Sequence, residues 1–291
     1  SVGKPGLALM IIILGAFVFR VALSIVFYGH QTDINCFMAW GNMVLDGTSK
    51  FYTSGAFADY PPGYMYICGA LAGLCRILGI PYASDGMALL FKMPATFADM
   101  AAIYLLYHIA KERKFGEKGA LLIAGIYAFA APLMFVSGAW GQIDSLLALL
   151  LVLVFWLLQK NQRILAGAVY GVAILMKPQA LMLGPILAVA YLLQIWDDKK
   201  RWVWRLAETV LAVIAAVGAL FLLALPFQGT QPWNWLIKKY VETAGSYDYA
   251  SIEAFNFASL IGGNWKPSSM LVLGLLPYKT FGMGMIYLSV A

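Results

Sequence analysis

The chain is dominated by apolar stretches too long and too numerous for a water-soluble globule. Seven of them, 6–28, 87–110, 118–136, 143–159, 163–177, 179–196 and 206–226, read as complete membrane-spanning helices, since a span takes about 20 mostly apolar residues. Hydrophobic residues make up 62% of the chain and charged residues 12%. A single soluble core could not hide that much apolar surface, and a disordered chain would not carry it. Three cysteines, Cys36, Cys68 and Cys75, are too few and odd in number for a disulfide scaffold. The expected fold class is all-α: a polytopic transmembrane helix bundle, one domain over 1–291, with juxtamembrane helices in a first outer loop. Two apolar stretches fall short. Residues 63–80 carry Arg76, and the run from Tyr278 to Ala291 is about 14 residues, too short to cross at ~1.5 Å per residue. With Ser1 in place of a methionine, this leads to the expectation that the chain is incomplete at its C-terminus.

Charge sets the orientation. The formal charge is +6, which in a soluble protein would raise nucleic-acid binding. Here the basic residues fall in loops, so no nucleic-acid partner is expected. Lys4, the Lys111/Arg113/Lys114/Lys118 cluster, Lys160/Arg163 and Lys199/Lys200/Arg201/Arg205 mark one face as cytoplasmic. The first helix then exits near Tyr28, and 87–110 must start on that same outer side to deliver Lys111 inside. Segment 63–80 therefore dips in or lies along the surface; if it spanned, every later loop would flip. The outer side collects a first loop at 29–62, short turns at 137–142 and 177–179, and a late loop at 227–266. The expected location is a bacterial plasma membrane, with the chemistry on its extracytoplasmic face and the lipid bilayer as a partner.

The polar residues of that face are the candidates for function. Asp33 follows the first helix at the water–lipid boundary, where a carboxylate can stay ionised and act as a general base; the competing reading has Thr32 or Asp33 capping a surface helix through Leu45. His30 beside it is a candidate for substrate contact. Asp59 and Tyr60 precede Pro61-Pro62, which suits a second site carboxylate with its aromatic neighbour, or a rigid turn. In Trp140-Gly141-Gln142-Ile143-Asp144, Trp140 offers a stacking surface for a sugar, and Gln142 and Asp144 suit either sugar hydroxyls or a helix cap. Lys177-Pro178-Gln179 interrupts an apolar run: Lys177 suits a phosphate or a snorkelling helix end. Arg20 is a candidate for a lipid phosphate. Lys92 and Asp99 share a helix face, Asp99 suits an ion pair inside the bundle, and His108 suits a structural role. In the late loop, Asn256 and Asn264 are candidates for sugar contact. No P-loop, dinucleotide fingerprint, H-E-x-x-H or Asp-x-Asp occurs. The two histidines lie far apart in depth, so no metal or other cofactor is expected.

Taken in order, Asp33-Ile34 with Trp40, Tyr60-Pro61-Pro62, Trp140-Gly141-Gln142-Ile143-Asp144 with Lys177-Pro178-Gln179, and Asn256 with Gly262-Gly263-Asn264 resemble the GT-C glycosyltransferases that use a polyprenyl-phosphate sugar. The chain looks closest to bacterial mannosyltransferases related to the second GPI mannosyltransferase. The resemblance implies inverting transfer of a hexose, mannose above all, from a polyprenyl-phosphate-linked sugar to a hydroxyl of a glycolipid, glycan or protein acceptor. It implies Asp33 as the base, no metal, and a donor phosphate held by Lys177, Arg20 or a residue beyond Ala291. Two other classes stay open: a lipid-linked sugar transporter or flippase, which calls for mid-membrane polar residues and internal symmetry, and a non-catalytic membrane partner subunit.

Overall fold

A computed structural model describes residues 3–252, 254 and 256–290. The expectations placed on Ser1 and Ala291 lie outside the described residues. Helix α1 (Lys4–Val26) leads into α2 (Gln31–Asp46), α3 (Pro62–Leu78) and α4 (Asp85–Glu112). Next come α5 (Gly116–Ala128), α6 (Ala131–Met134) with a π-helical turn Phe135–Trp140, α7 (Asp144–Gln159), α8 (Arg163–Met176), α9 (Gly184–Asp197) and α10 (Trp202–Ala224). Beyond them lie α11 (Trp235–Gly245), α12 (Phe257–Leu260), a small hairpin of β1 (Leu271–Val272) against β2 (Leu276–Pro277), and α13 (Tyr278–Val290). The protein is an all-α polytopic bundle.

Among the described residues four helices are long and apolar enough to cross a membrane: Lys4–Val26, Asp85–Glu112, Pro178–Asp197 and Trp202–Phe227. Gly116–Ala128 and Ala131–Trp140 make a fifth only if they count as one span bent by 50°. The seven complete spans read from the sequence are corrected accordingly. Helices α7 and α8 have 16 and 14 residues, about 24 and 21 Å of rise against a hydrocarbon core of roughly 30 Å. The 118–136 stretch breaks because Pro132 has no N–H to give and its ring would strike the carbonyl four residues back, at Ala128. Helix α5 ends at that residue.

Helices α1 and α4 run antiparallel, with Arg20 against Asp99 and Ser24 against Lys92. Helix α4 therefore starts at the end of the bundle where α1 stops. Between them α2 and α3 return the chain to that same end, so α3 does not reverse the topology. The two pack closely through glycines: a Cβ on Gly41 would sit 2.6 Å from the Cys68 carbonyl oxygen, and one on Gly69 would sit 2.5 Å from Val44. Their shared face, with Phe37, Trp40, Tyr64 and Met65, enters a core completed by Phe91, Phe227 and Trp235. At the opposite end Lys160 pairs with Glu112 at 2.7 Å, and Arg163 reaches the Arg205 carbonyl. The basic loops thus share one end and the polar turns the other.

Arg20 and Asp99 are fully buried and form an ion pair at 2.7 Å. Ser137 of the π turn donates to the same carboxylate at 2.6 Å, and Tyr127 donates to its other oxygen at 3.1 Å. The guanidinium also takes up the Ala128 carbonyl at 2.8 Å, the oxygen left over where Pro132 breaks the helix. This corrects the expectation that Arg20 holds a lipid phosphate: its charge is spent inside the bundle. Asp99 is the structural ion-pair partner expected, but of Arg20. Lys92, on its own helix face, instead donates to the Ser24 and Phe27 carbonyls at the end of α1, where a cation complements the helix dipole.

Helices α8 and α10 run parallel through small residues. A Cβ on Gly167 or Gly171 would lie 2.2 Å from the carbonyl oxygen of Ala212 or Ala216. Backbone cannot yield as a side-chain tip does, so Gly171→Leu is expected to cost about 1–3 kcal/mol or more. Gly218→Ala, with nothing within 4 Å, should leave thermal unfolding in detergent unchanged. Arg20→Met strands the Asp99 charge and should lower stability by about 3–5 kcal/mol; Arg20→Met with Asp99→Leu should recover most of it in the same assay.

Candidate functional site

Three chain segments converge at the end opposite the basic loops. The first is the start of α2. Its N-cap is His30, without a side-chain cap bond, and Asp33 lies in the first turn, where a carboxylate favours the helix dipole. The capping reading of Thr32 or Asp33 is therefore not what the structure shows. The second segment is the turn 140–143 between the π helix and α7. The third is Lys177, in extended conformation where α8 stops.

Gln142 ties the three together. Its amide nitrogen donates to Asp33 Oδ2 at 2.6 Å, and its oxygen accepts from the Tyr60 hydroxyl at 3.1 Å and from Lys177 Nζ at 3.4 Å. A carboxylate only accepts and an ammonium only donates, so these neighbours dictate which way the amide faces. The Trp140 indole donates to the same Asp33 oxygen at 2.8 Å, and His30 Nδ1 lies 3.4 Å from it. His30 stacks on Trp140 with centroids 5.0 Å apart, and its backbone N–H donates to the Trp140 carbonyl. Every one of these contacts falls on Oδ2. Among the described residues Asp33 Oδ1 accepts no hydrogen bond, and the side chain keeps a quarter of its surface open. Trp140 is 40% exposed, a flat aromatic face beside that free oxygen.

Lys177 is 7% exposed. It pairs with Asp144 at 2.5 Å and lies over the Tyr60 ring, 5.2 Å from its centroid. Asp144 is not the cap that sequence allowed: the N-cap of α7 is Ile143, and Asp144 serves as the lysine's counterion. Burial pushes the Tyr60 hydroxyl far above a phenol's ordinary value, and the charges of Asp144, Asp59 and Asp33 add to the effect. It stays protonated and donates. Asp144 thus neutralises Lys177, and Asp33 and Asp59 act with it on the neighbouring Tyr60, so the site is acidic and Lys177 has little charge left for a phosphate.

Asp59 fastens the rim. Its Oδ2 accepts from Tyr247 at 2.8 Å and its backbone carbonyl accepts from Thr243 at 3.1 Å, tying the first loop to the late one. The Tyr247 hydroxyl is raised by burial and then by this bond. The remaining candidates lie apart from the network. Gln179 is exposed, and its side chain carries no hydrogen bond among the described residues. Asn256 caps α12, accepting from Ser259 N–H at 2.9 Å while its amide donates to Ser251. Its polar groups hold the loop, which corrects the sugar-contact expectation. Asn264 is exposed and bridges Ser251 by backbone pairing. Cys36 has a thiol raised by burial and then by Asp59 and Asp33, which disfavours a thiolate nucleophile. Among the described residues no group of three His, Cys, Asp or Glu side chains could hold a metal.

A Cβ on Gly141 would sit 2.6 Å from Lys92 Cγ, which levels the turn with the eighth residue of α4, about 10 Å below that helix's start.

The family model described as GPI transamidase subunit PIG-U matches residues 41–250 of the chain, more than two thirds of it. The chain belongs to this family. The matched stretch holds Tyr60, Trp140, Gln142, Asp144 and Lys177, and leaves out His30 and Asp33. It is a family of membrane subunits of GPI-anchor biosynthesis and not of mannosyltransferases as such, so the match does not support the mannosyltransferase expectation. No curated protein matches the chain.

Gly141 has φ +88° and no room for a side chain, with Lys92 and Ile34 both within 2.7 Å of a Cβ. Gly141→Ala should swing Trp140 and Gln142 off Asp33. The expected reading is lost quenching of Trp140 fluorescence by its neighbours, with the protein still extracted as a folded species.

Proposed function

We propose that this chain is a non-catalytic subunit of a membrane assembly, holding a lipid-linked glycan at the site around Asp33 on the extracytoplasmic side. One observation carries the reading: an exposed indole face, a carboxylate whose Oδ1 accepts no hydrogen bond among the described residues, and a buried lysine paired with the half-exposed Asp144 meet at the end of the bundle opposite the basic loops. Aromatic stacking with directed acceptors is how sugar rings are held, and the site meets a ligand that arrives in the bilayer. The family supports the subunit role, since its description is that of a GPI transamidase subunit. Transamidation needs a reactive nucleophile, and the raised thiol of Cys36 is a poor one.

A second reading has one observation in its favour. The free Oδ1 of Asp33 could take the proton of an acceptor hydroxyl as it attacks the anomeric carbon. A C–O bond forms to the acceptor, and the bond to the lipid phosphate breaks with the phosphate leaving as an anion. That would make the chain an inverting hexosyltransferase with Asp33 as base. The transporter reading lacks such support: the charges buried among the helices, Arg20 with Asp99 and Lys92 with the end of α1, are held by contacts within the bundle.

The test uses the purified full chain in nanodiscs with a polyprenyl-phosphate mannose and with a GPI-type glycolipid. Retention of the glycolipid without sugar turnover is expected, and Asp33→Asn, which keeps an acceptor for Trp140 and Gln142 but turns the open oxygen into an NH2 donor, should weaken retention about tenfold. Hexose transfer abolished by Asp33→Asn would instead establish the second reading. Retention of neither ligand would overturn both.

A further inference from the structure

Where Tyr52 and Ala56 of the first loop meet residues 231–242 of the late one lies a polar pocket of about 160 Å³, separate from the Asp33 site. Tyr52, Gln231, Trp235, Lys238, Lys239 and Glu242 line it. We propose that this pocket binds a phosphate group, carried by a lipid or a glycan at the membrane surface, with Lys238 and Lys239 as its ligands.

The donors are in place and uncommitted. Among the described residues neither lysine has a carboxylate within ion-pair distance or a hydrogen bond to its ammonium. Lys239 is half-buried and lies 5.6 Å from the centroid of the Tyr52 ring. Burial pulls its ammonium below lysine's ordinary value, although Glu242 and Asp59 work in the other direction. Such a cation gains from an anion that brings its own negative charge. The indole of Trp235 also lines the pocket, and its N–H has no acceptor among the described residues. Two lysines line the pocket with a single carboxylate, Glu242, so the pocket is cationic while the adjoining Asp33 site is acidic.

Its depth fits a headgroup. Helix α11 buries Trp235 and Leu236 against the core and exposes Ile237 and Val241, with Trp233 exposed just before it. That is how a helix lies in a membrane interface, apolar side down and lysines at the level of the phosphates. The same electrostatics explain why Lys177, neutralised by Asp144, is the poorer phosphate ligand.

The pocket is defined without reference to Asp33, so its test is separate from that of the glycan reading. Labelled glucose 1-phosphate and labelled farnesyl phosphate are titrated into the full chain in phosphatidylcholine nanodiscs. Saturable binding of either probe is expected, weakening with salt. Saturation by farnesyl phosphate alone identifies a lipid phosphate, and saturation by glucose 1-phosphate alone identifies a glycan phosphate. Lys238→Gln with Lys239→Gln should weaken binding about tenfold or more, and Lys238→Arg with Lys239→Arg should bind like the unaltered chain. Binding of neither probe, equal loss in the glutamine and arginine variants, or loss in Lys177→Gln in place of the double variant would overturn the proposal.

Discussion

The arrangement depends on one constraint: inside an apolar bundle every charge and every freed backbone group needs a partner from the protein itself. Arg20 answers three such needs at once. It neutralises Asp99, takes the Ala128 carbonyl that Pro132 leaves without a helical donor, and meets Ser137 of the π turn. Ser24, one turn further on, donates to the Gly138 carbonyl. Helices α1 and α4 and the broken α5–α6 segment are thereby held in one register. That register places Trp140 and Gln142 over Asp33. The buried pair is thus the mechanical support of the Asp33 site, although no ligand reaches it.

The end of the bundle that carries the Asp33 site is divided by charge. Asp33, Asp59 and Asp144 gather around Tyr60, with Asp144 paired to Lys177, whereas Lys238 and Lys239 on α11 have no carboxylate within ion-pair distance among the described residues. A neutral glycan suits the first region and a phosphate the second. Tyr247, bonded to Asp59, and Tyr52, between Asp59 and Lys239, join the two. Both lie where the first and late loops meet, so a ligand spanning the regions would contact residues almost 200 apart in the chain.

Much of this was legible in the residues. Hydrophobic runs are local properties, so the helices were read nearly in place: 6–28 against Lys4–Val26, and 87–110 against Asp85–Glu112. The return of 63–80 to its starting side followed from the basic loops alone. Asp33, Tyr60, Trp140, Gln142, Asp144 and Lys177 were picked out as polar residues in apolar company, and they do form one network. Arg20, Asn256 and the capping role of Asp144 were misread, because each was judged by its sequence neighbours while its partner lies far along the chain. Lys238 and Lys239 read from the sequence only as basic residues of an outer loop, since nothing in their neighbours shows that Lys239 is half-buried against Tyr52.

The sequence by itself determined that this is a helical membrane protein, which end of it is basic, and which segments gather at the other end. Those features follow from transfer free energies and from charge placement, and both add up residue by residue. Only the tertiary structure decided which charge meets which: Arg20 and not Lys92 with Asp99, Asp144 with Lys177, and Gln142 between Asp33 and Lys177. Pairing depends on distances of a few ångströms between helices, and those are set by how closely glycines such as Gly141 and Gly171 let the backbones approach.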